Sequence, residues 1–502
     1  MPPRLAASPL LIDPAANRVL RERLVPMFDD DRQAVLVELN LRSDAEPDAV
    51  RHRFFEVFAR FSAARADSRP EQVAPEPIST PFLRCLLSPD EISGLLKEDT
   101  SGPADEPRAH SSIFRIWPDY ILRPHLDRSL TTVKADAALR TYHTTGTGVV
   151  WAVIDSGIDG DHAHFSAGTL TDPAVRALHR DYTYLVRNEK PPADGGQPLQ
   201  DSAGHGTHVA GIIAGRLPPE AVPVVVGLKA TDGNLPLWAE RHLASEATLA
   251  GVAPHTRLVS LRVLDHSGAG EPTTVSSAVI KALEYVRHVN AGGRQIRIHG
   301  VNLSLGCEWF ANEYAAGQSP LCRELDLLVG TGVVAVVSAG NSGAGSDTDG
   351  DPYPHGRLAT ITDPGNSIRA ITVGSTHRDK PHLYGISYDS SKGPTTDGRL
   401  KPDLVAPGER ITSAATGDLI AGIPVFDQAN TDRPRYRDQS GTSMAAAHVS
   451  GAVAALLSTR AEYIGNPDEV KRLLTTSATD LGRHEFFQGA GLLDLMRVLA
   501  TV

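Results

Sequence analysis

Three short segments, each flanked by glycine, contain the residue types needed for nucleophilic catalysis. Asp155 lies in D-S-G directly after an apolar run, His205 lies in H-G-T-H-V-A-G, and Ser443 lies in G-T-S-M-A. A serine hydroxyl becomes a strong nucleophile when a histidine takes its proton, and an aspartate fixes the tautomer of that histidine. The sequence therefore predicts a catalytic triad made of Asp155, His205 and Ser443.

The order of the three residues narrows the class of hydrolase. Asp–His–Ser is the order of subtilisin-like proteases, whereas α/β-hydrolases have Ser–Asp–His, and the serine context is not the G-x-S-x-G of esterases. The Ala-rich stretch after Ser443 predicts a helix to about Ser458. Ser443 would then lie at the helix N-terminus, where free backbone N–H groups can face a developing negative charge.

Further motifs lie between and around these residues in a fixed order. They are G-V-A-P from Gly251, S-L-G from Ser304, A-G-N ending at Asn341, K-P-D from Lys401 and A-P-G from Ala406. Together with the three signatures they resemble the subtilisin-like serine proteases (subtilases) over roughly residues 125–500. The resemblance implies an α/β fold with a doubly wound, mostly parallel sheet. It also implies a serine endopeptidase that hydrolyses peptide bonds through an acyl-enzyme.

The resemblance also implies roles for residues outside the triad. Asn341 is similar to the asparagine whose side-chain N–H, with the N–H of Ser443, holds the oxyanion of the tetrahedral intermediate. The implied substrate-binding residues are Ser304, Leu305, Gly306, Ala339, Gly340, Thr362 and Asp363. Thr362 would lie at the base of the primary pocket and Asp363 near its wall. A carboxylate there would favour Arg or Lys before the scissile bond, and the alternative is that Asp363 caps a turn before Pro364.

The implied chemistry needs no cofactor, and no metal-ligand spacing such as H-E-x-x-H is present. The calcium-binding loop of secreted family members is not recognisable between the His205 helix and Gly251. Asp347, Asp349 and Asp351 alternate as in a cation loop, but no glutamate follows at the EF-hand spacing. A solvated turn is therefore the main interpretation, and structural calcium is the alternative. His208 and His448 are predicted to be hydrogen-bonded packing residues.

From residue 148 onward, apolar segments with the length of strands alternate with helical patterns. The predicted strands are 149–154, 222–226, 258–264, 301–303, 333–337 and 371–373, and helices are predicted at 274–289 and 321–328. Apolar strands alternating with helices are typical of a parallel sheet covered on both faces. Ligands bind such sheets at the carboxyl ends of the strands, which is where Asp155 is predicted to lie.

A smaller α+β domain is predicted over residues 31–120. Its predicted strands are 34–41, 82–87 and 112–117, and its predicted helices are 47–61 and 89–97, the second of which begins with a capping box, S-P-D-E from Ser88. This domain resembles the ferredoxin-like propeptide of the family, which is an inhibitor and folding aid. Residues 1–30 are predicted to be an N-terminal extension, 121–147 a linker, and 148–502 the catalytic domain.

Composition restricts partners and location. The chain has 502 residues with 49 Lys and Arg against 60 Asp and Glu, and the net charge of −11 argues against binding to nucleic acid or to an anionic membrane. No export signal and no run of 18 apolar residues is recognisable, so a cytoplasmic protease acting on protein or peptide substrates is expected. A regulatory protein partner is a further expectation. Three cysteines do not make a disulfide framework, although pairing of Cys307 with Cys322 stays open.

Overall fold

The computed structural model describes a chain that divides into two compact units, Met1–Arg123 and Pro124–Val502. The described residues are 32–41, 46–65, 74–77, 80, 82–100, 111–118, 128–218, 224–232, 235–242, 249–265, 272–307, 315–345, 355–421, 423 and 435–501. The predicted extension 1–30 and the aspartates 347, 349 and 351 lie outside these residues.

The first unit is a small α+β domain, as predicted. Its elements in chain order are β1 (Gln33–Leu39), α1 (Pro47–Ala63), β2 (Glu76–Pro77), β3 (Phe82–Leu87), α2 (Pro89–Thr100) and β4 (Ile113–Pro118). The strands pair antiparallel in the order β2-β3-β1-β4. This β-α-β-β-α-β arrangement is ferredoxin-like.

Local sequence explains both helices of this unit. The apolar positions of α1 recur every three or four residues, and Phe54 and Phe58 are buried against the sheet. The predicted capping box forms at α2, because the Ser88 N–H donates to Glu91 Oε2 at 2.8 Å and the Glu91 N–H donates to Ser88 Oγ at 3.3 Å. Glu91 also forms a buried ion pair with Arg32 at 2.7 Å, which compensates for burial of both charges.

The second unit contains the remaining strands. In chain order they are β5 (Val150–Asp155), β6 (Arg180–Asp181), β7 (Val224–Asp232), β8 (Leu235–His242), β9 (Arg257–Arg262), β10 (Gly300–Leu303), β11 (Val334–Ser338), β12 (Ala344–Gly345), β13 (His355–Gly356), β14 (Ile371–His377), β15 (Leu404–Glu409), β16 (Ile411–Ala414) and β17 (Arg435–Gln439). Seven of them form a parallel sheet in the order β15-β14-β11-β10-β5-β9-β6.

The helices of this unit lie on both faces of the parallel sheet. They are α3 (Arg128–Thr132), α4 (Ala135–Tyr142), α5 (Thr183–Val186), α6 (His205–Ile213), α7 (Ser276–Val289), α8 (Pro320–Gly330), α9 (Pro381–Tyr384), α10 (Thr442–Thr459), α11 (Pro467–Ser477), α12 (Glu485–Gln488) and α13 (Leu495–Thr501). Trp151 and Val153 of β5 pack into the core with α6 and α10, whereas Ala152 and Ile154 pack into the core with α7 and α8. The predicted doubly wound α/β fold is therefore present.

The helix α10 is enclosed by the core. Every residue from Thr442 to Leu457 is buried, as expected of a helix that is apolar on all sides. Its small side chains permit very close contacts. A Cβ atom added to Gly451 would lie 2.6 Å from Val252 Cβ.

The predicted linker 121–147 is wrong in part. Residues from 128 to 142 form the helices α3 and α4, and Val133, Ala135 and Ala138 are buried in the core that contains α6 and α10. The reason is that two short helices, of five and eight residues, contain too few turns to show a clear apolar period. The buried Nε2 of His448 also contacts Ser129 Oγ at 2.8 Å, which ties α3 to α10.

A second sheet of four strands, which the sequence did not reveal, has the order β16-β17-β7-β8. Its strand β17 contacts the buried His164, which precedes α6 in the chain. The His164 Nε2 atom donates to Gly211 O at 3.1 Å, so Nδ1 accepts from Tyr436 Oη at 2.9 Å. This side chain therefore joins the segment after β5 to both α6 and β17.

Among the described residues, no helix combines the length and apolar character needed to cross a membrane.

Candidate active site

The three residues predicted to form a triad lie at the ends of three elements of the second unit. Asp155 is the last residue of β5, His205 is the first residue of α6, and Ser443 is the second residue of α10. Helices α6 and α10 pack into one core on the same face of the parallel sheet. The fold thus places a carboxylate, an imidazole and a hydroxyl group at the ends of three elements of one unit.

Asp155 and His205 are joined by a short hydrogen bond. The His205 Nδ1–H group donates to Asp155 Oδ1 at 2.7 Å, and the Ser156 N–H donates to the same oxygen at 2.8 Å. The Asp155 side chain is fully buried, whereas that of His205 is 28% exposed. A buried carboxylate that accepts from Nδ1 fixes the ring tautomer and stabilises the imidazolium form, while the opposite ring nitrogen can exchange protons.

Two glycines allow α6 to begin beside Asp155. Gly204 has a positive φ of +84°, and a Cβ atom there would lie 2.2 Å from Thr416 O. A Cβ atom on Gly206 would lie 2.2 Å from Gly157 O and 3.1 Å from Asp155 Cβ. Any larger residue would push the start of the helix, and with it His205, away from the carboxylate.

A second buried aspartate fixes the same turn. Asp201 accepts hydrogen bonds from the Gly204 N–H at 2.7 Å, the Thr207 N–H at 2.8 Å and the Thr207 hydroxyl at 2.6 Å. Burial raises the pKa of Asp201, and these hydrogen bonds partly counteract that rise. Asp201 was missed from the sequence, although an acid four residues before a motif histidine is a readable helix-capping signal.

Both the hydroxyl group and the backbone of Ser443 form hydrogen bonds with Ser304. The side chain is 8% exposed, and Ser443 Oγ donates to Ser304 O at 3.2 Å. In return Ser304 Oγ donates to Ser443 O at 3.0 Å, so the start of α10 and the segment after β10 hold each other in place. The first N–H groups of a helix have no acceptor within the helix and are available to an anion.

Asn341 is oriented by the residue before Ser443. Its Oδ1 atom accepts from the Thr442 N–H and from the Thr442 hydroxyl, each at 3.0 Å. Because the amide oxygen is engaged, the amide N–H groups of this exposed residue are left to donate to another acceptor. The sequence identified Asn341 from its motif but did not identify Thr442 as the group that orients it.

The predicted pocket residues come together around Thr362. A Cβ atom on Gly306 would lie 2.7 Å from Thr362 Oγ1, and one on Gly340 would lie 2.6 Å from the same atom. The half-buried Thr362 side chain thus lies between Leu305-Gly306 on one side and Ala339-Gly340 on the other. Its hydroxyl and methyl groups occupy space that a glycine would leave open.

The next residue, Asp363, has different surroundings. The residue is fully buried, and its Oδ1 atom accepts from Asn366 Nδ2 at 2.8 Å. Its backbone pairs with that of Cys307 through two hydrogen bonds of 2.8 and 3.0 Å. Burial and the contact with Asn366 favour the alternative interpretation, in which Asp363 caps a turn, over a role at the pocket wall.

Two cysteines and His208 lie outside the predicted triad, and their contacts indicate packing rather than catalysis. Cys307 is an exposed free thiol and Cys322 is a buried one, and burial raises the pKa of Cys322. His208 is buried, contacts Arg437 O through Nε2 at 2.9 Å, and has its pKa lowered by burial to about 3. Within the described residues, no group of three or more His, Cys, Asp or Glu side chains could hold a metal ion.

Comparison with known proteins places the chain in a family. The model of the subtilase family matches residues 146–492. Serine protease AprX of Bacillus subtilis is 27% identical over 75% of this chain and 71% of its own length, and subtilisin E of the same species is 26% identical over 73% of this chain and 69% of its own length. Pyrolysin of Pyrococcus furiosus is 32% identical over 56% of this chain but only 19% of its own length.

Comparison with solved structures gives two chains that are each 25% identical to this one. A cold-adapted subtilisin-like serine proteinase is 25% identical, with a TM-score of 0.43, over 70% of this chain and 89% of that one. MycP1 with its N-terminal propeptide removed is 25% identical, with a TM-score of 0.47, over 74% of this chain and 96% of that one. The match to the family covers more than half of the sequence and includes all three signature motifs. The chain therefore belongs to the subtilase family and is a serine endopeptidase.

Proposed function

We propose that Asp155, His205 and Ser443 are the catalytic triad of this endopeptidase and that it works through an acyl-enzyme. The observation that carries the proposal is the 2.7 Å hydrogen bond from His205 Nδ1 to the buried Asp155 Oδ1. This bond leaves the opposite ring nitrogen of His205 as the base for a serine at the start of α10.

The proposed reaction has two halves. The Ser443 hydroxyl exchanges its bond to Ser304 O for one to His205, gives its proton to the imidazole and attacks the peptide carbonyl carbon. The histidine then gives that proton to the leaving amine as the C–N bond breaks, which leaves an ester on Ser443. A water molecule repeats the sequence on the ester, so the carboxylic acid product leaves and the serine hydroxyl is restored.

Two donors are proposed to hold the oxyanion that develops on the substrate carbonyl. One is the Asn341 amide, whose oxygen is held by Thr442, and the other is the Ser443 N–H at the start of α10. Donors that are fixed before the reaction stabilise the transition state without reorganising. The segment of Ser304, Leu305 and Gly306 is proposed to pair with an extended substrate backbone, with Ala339 and Gly340 on the other side and Thr362 at the pocket base.

The first unit is proposed to inhibit the second. Its ferredoxin-like fold resembles the propeptides of the family, and it is a compact unit with its own buried core. Two modes are compatible with this role. The unit is either removed by cleavage of the precursor or kept as a lid that another signal displaces.

Active-site labelling tests the triad. Wild type, Ser443→Ala and the control Ser440→Ala are treated with a fluorophosphonate probe, examined by intact mass, and assayed on a peptide anilide. We expect one probe adduct on wild type and on Ser440→Ala and none on Ser443→Ala. Peptide hydrolysis by Ser443→Ala should fall by about 10⁶-fold, a magnitude taken from subtilisin itself.

The control separates nucleophile loss from local disturbance. Ser440 is exposed three residues before Ser443, and its Oγ accepts from the Arg410 N–H at 3.0 Å. Labelling of Ser443→Ala at the wild-type rate would contradict the assignment of the nucleophile. Asp155→Asn should retain slow labelling, because the serine remains but the histidine loses the acceptor that fixes its tautomer.

A further inference from the structure

The loop that carries Asn341 is held by a second segment of the chain. Four hydrogen bonds join the Asn341 loop (residues 340–343) to residues 388–392. The Gly343 N–H donates to Asp389 O at 2.9 Å, the Ser391 N–H donates to Gly340 O at 2.9 Å, the Ser342 N–H donates to Ser391 Oγ at 3.1 Å, and Lys392 Nζ donates to Gly343 O at 2.8 Å. The loop is therefore held by residues 388–392 as well as by Thr442.

Lys392 is the charged member of this set. Its side chain is 5% exposed, and besides Gly343 O its ammonium group donates to Tyr388 O at 2.9 Å. The ammonium also lies 5.7 Å from the centre of the Phe487 ring. Within the described part of the chain it makes no ion pair, so its direct partners are carbonyl oxygens and an aromatic face, and the charge of Asp389 acts on it only from a longer distance.

Such a placement is costly for stability alone. Burying an ammonium that forms no ion pair loses hydration that two carbonyl groups replace only in part. Burial therefore lowers the pKa of Lys392, although the charge of Asp389 opposes this shift. An apolar side chain of the same length would fill the space without this penalty. What the ammonium adds is a charged hydrogen bond to Gly343 O, which is stronger than a neutral one.

The held carbonyl lies two residues from the proposed oxyanion donor. Asn341 is exposed, so packing around its side chain does not define its position. Its orientation depends on Thr442, which holds the amide oxygen, and on the backbone contacts of Gly340, Ser342 and Gly343. A displacement of about 1 Å in such a donor can reduce the rate about 100-fold.

We infer that Lys392 is a positioning residue for the oxyanion hole: its buried ammonium holds Gly343 O and thereby fixes the Asn341 loop in the geometry that the transition state requires. Lys392 does not touch the substrate and acts through Asn341. The inference rests on the proposed function of Asn341 and Ser443. It assigns a role in the reaction to a lysine of the segment S-S-K-G-P, which carries none of the chemistry described above.

Steady-state kinetics of the full chain test the inference. Lys392→Met retains the length of the side chain and removes the charge and the donors. We expect kcat for a peptide anilide to fall about 10-fold while KM changes less than twofold, because the loss affects only the transition state. Lys392→Arg, which restores a charged donor, should recover most of kcat.

A double variant tests whether Lys392 acts through Asn341. If it does, Lys392→Met in an Asn341→Ala background should reduce kcat less than twofold further, because the donor being positioned is already absent. A full 10-fold additional loss would overturn the inference. A kcat for Lys392→Met equal to that of wild type would overturn it as well.

Lys471 provides a matched control. Its Nζ atom also donates to two backbone carbonyls, Ile368 O at 3.1 Å and Ala370 O at 2.9 Å, and it differs from Lys392 in forming an ion pair with Asp403 Oδ1 at 2.9 Å. Lys471→Met should lower the melting temperature and leave kcat within twofold of wild type. If Lys392→Met does not fold, Lys392→Gln, which removes the charge but retains a polar side chain, replaces it, and unchanged kcat in that variant would overturn the inference.

Failure of this inference and failure of the proposed function are distinguishable. If Ser443 were not the nucleophile, Ser443→Ala would label with fluorophosphonate as wild type does. If only the role of Lys392 were wrong, Ser443→Ala would be inactive and unlabelled while Lys392→Met would hydrolyse peptides at the wild-type kcat.

Discussion

At the scale of single residues, two neighbours in sequence can differ in burial and in the contacts of their side chains. Thr362 lies between two glycine-containing segments, whereas Asp363 is fully buried and bonded to Asn366. Residue type suggested a charged pocket wall at Asp363, but which of two adjacent side chains faces the pocket depends on the backbone pairing with Cys307. That pairing is a non-local contact, so the local sequence does not encode it in readable form.

The pocket predicts a preference for a small side chain before the scissile bond. Thr362→Gly should raise kcat/KM for a substrate with Phe at that position, relative to one with Ala, by about 10-fold or more, because each added methylene group of pocket space is worth about 1–3 kcal/mol. Thr362→Ser, which removes only the methyl group, should fall between wild type and Thr362→Gly. The measurement is kcat/KM on a matched pair of peptide anilides, and an unchanged Phe-to-Ala ratio would contradict the placement of Thr362 at the pocket base.

Substrates with arginine before the scissile bond distinguish the two interpretations of Asp363. With its carboxylate buried, Asp363 should give no preference for Arg over Leu, and this ratio should not depend on residue 362.

At the scale of elements, motif-bearing segments were predictable and short or inserted ones were not. The strand ending at Asp155 and the helices beginning at His205 and Thr442 follow from runs of apolar and small residues. The strand β8 contains Pro236 and several polar residues, so it resembles a loop. Its partner β7 was recognised only over its first apolar residues, because the rest of that strand lacks the apolar character of a buried sheet.

His164, which joins the segment after β5 to α6 and β17, is expected to make the stability of the fold sensitive to acid. Burial lowers the pKa of His164 to about 3, so the folded state keeps the ring neutral where the unfolded chain, with a pKa near 6.5, binds a proton. Stability from this group is therefore complete above about pH 6.5 and is lost as the pH falls toward 3. Between pH 7 and pH 5 the loss should be about 2 kcal/mol for this residue alone.

Urea unfolding at pH 5, 6 and 7 measures this dependence. A Ser443→Ala background prevents self-digestion, and the slope of the unfolding free energy with pH is compared for this protein and its His164→Asn variant. The variant should be less stable at pH 7 but should lose less stability on acidification. His382→Asn, at an exposed histidine, should retain the original slope, and equal slopes for His164→Asn and its parent would contradict the prediction.

At the scale of the whole molecule, the two units were predictable but the boundary between them was not. Helices α3 and α4 belong to the second unit, so residues 128–142 of the predicted linker are poor sites for cleavage. Helices that pack in a core resist cleavage, because the chain must unfold locally before it fits a protease.

Self-processing is therefore expected between Pro118, where β4 ends, and Arg128, where α3 begins. Purified wild type should yield two fragments by intact mass, and Ser443→Ala should remain one chain. Cleavage of Ser443→Ala by added wild type would indicate processing between molecules. An intact wild-type chain with full peptidase activity would contradict inhibition by the first unit, whereas an intact chain activated by limited trypsin digestion would support the lid mode.

The position of α10 in chain order has a consequence for protein synthesis. A ribosome makes the N-terminal segments first, so β5 and α6 leave it long before the helix that carries Ser443. A growing chain that has not reached residue 443 contains Asp155 and His205 but lacks the proposed nucleophile. The seven strands of the parallel sheet all precede α10 in the chain. With the proposed triad, a nascent chain therefore cannot cleave itself or neighbouring nascent chains until Ser443 has been synthesised.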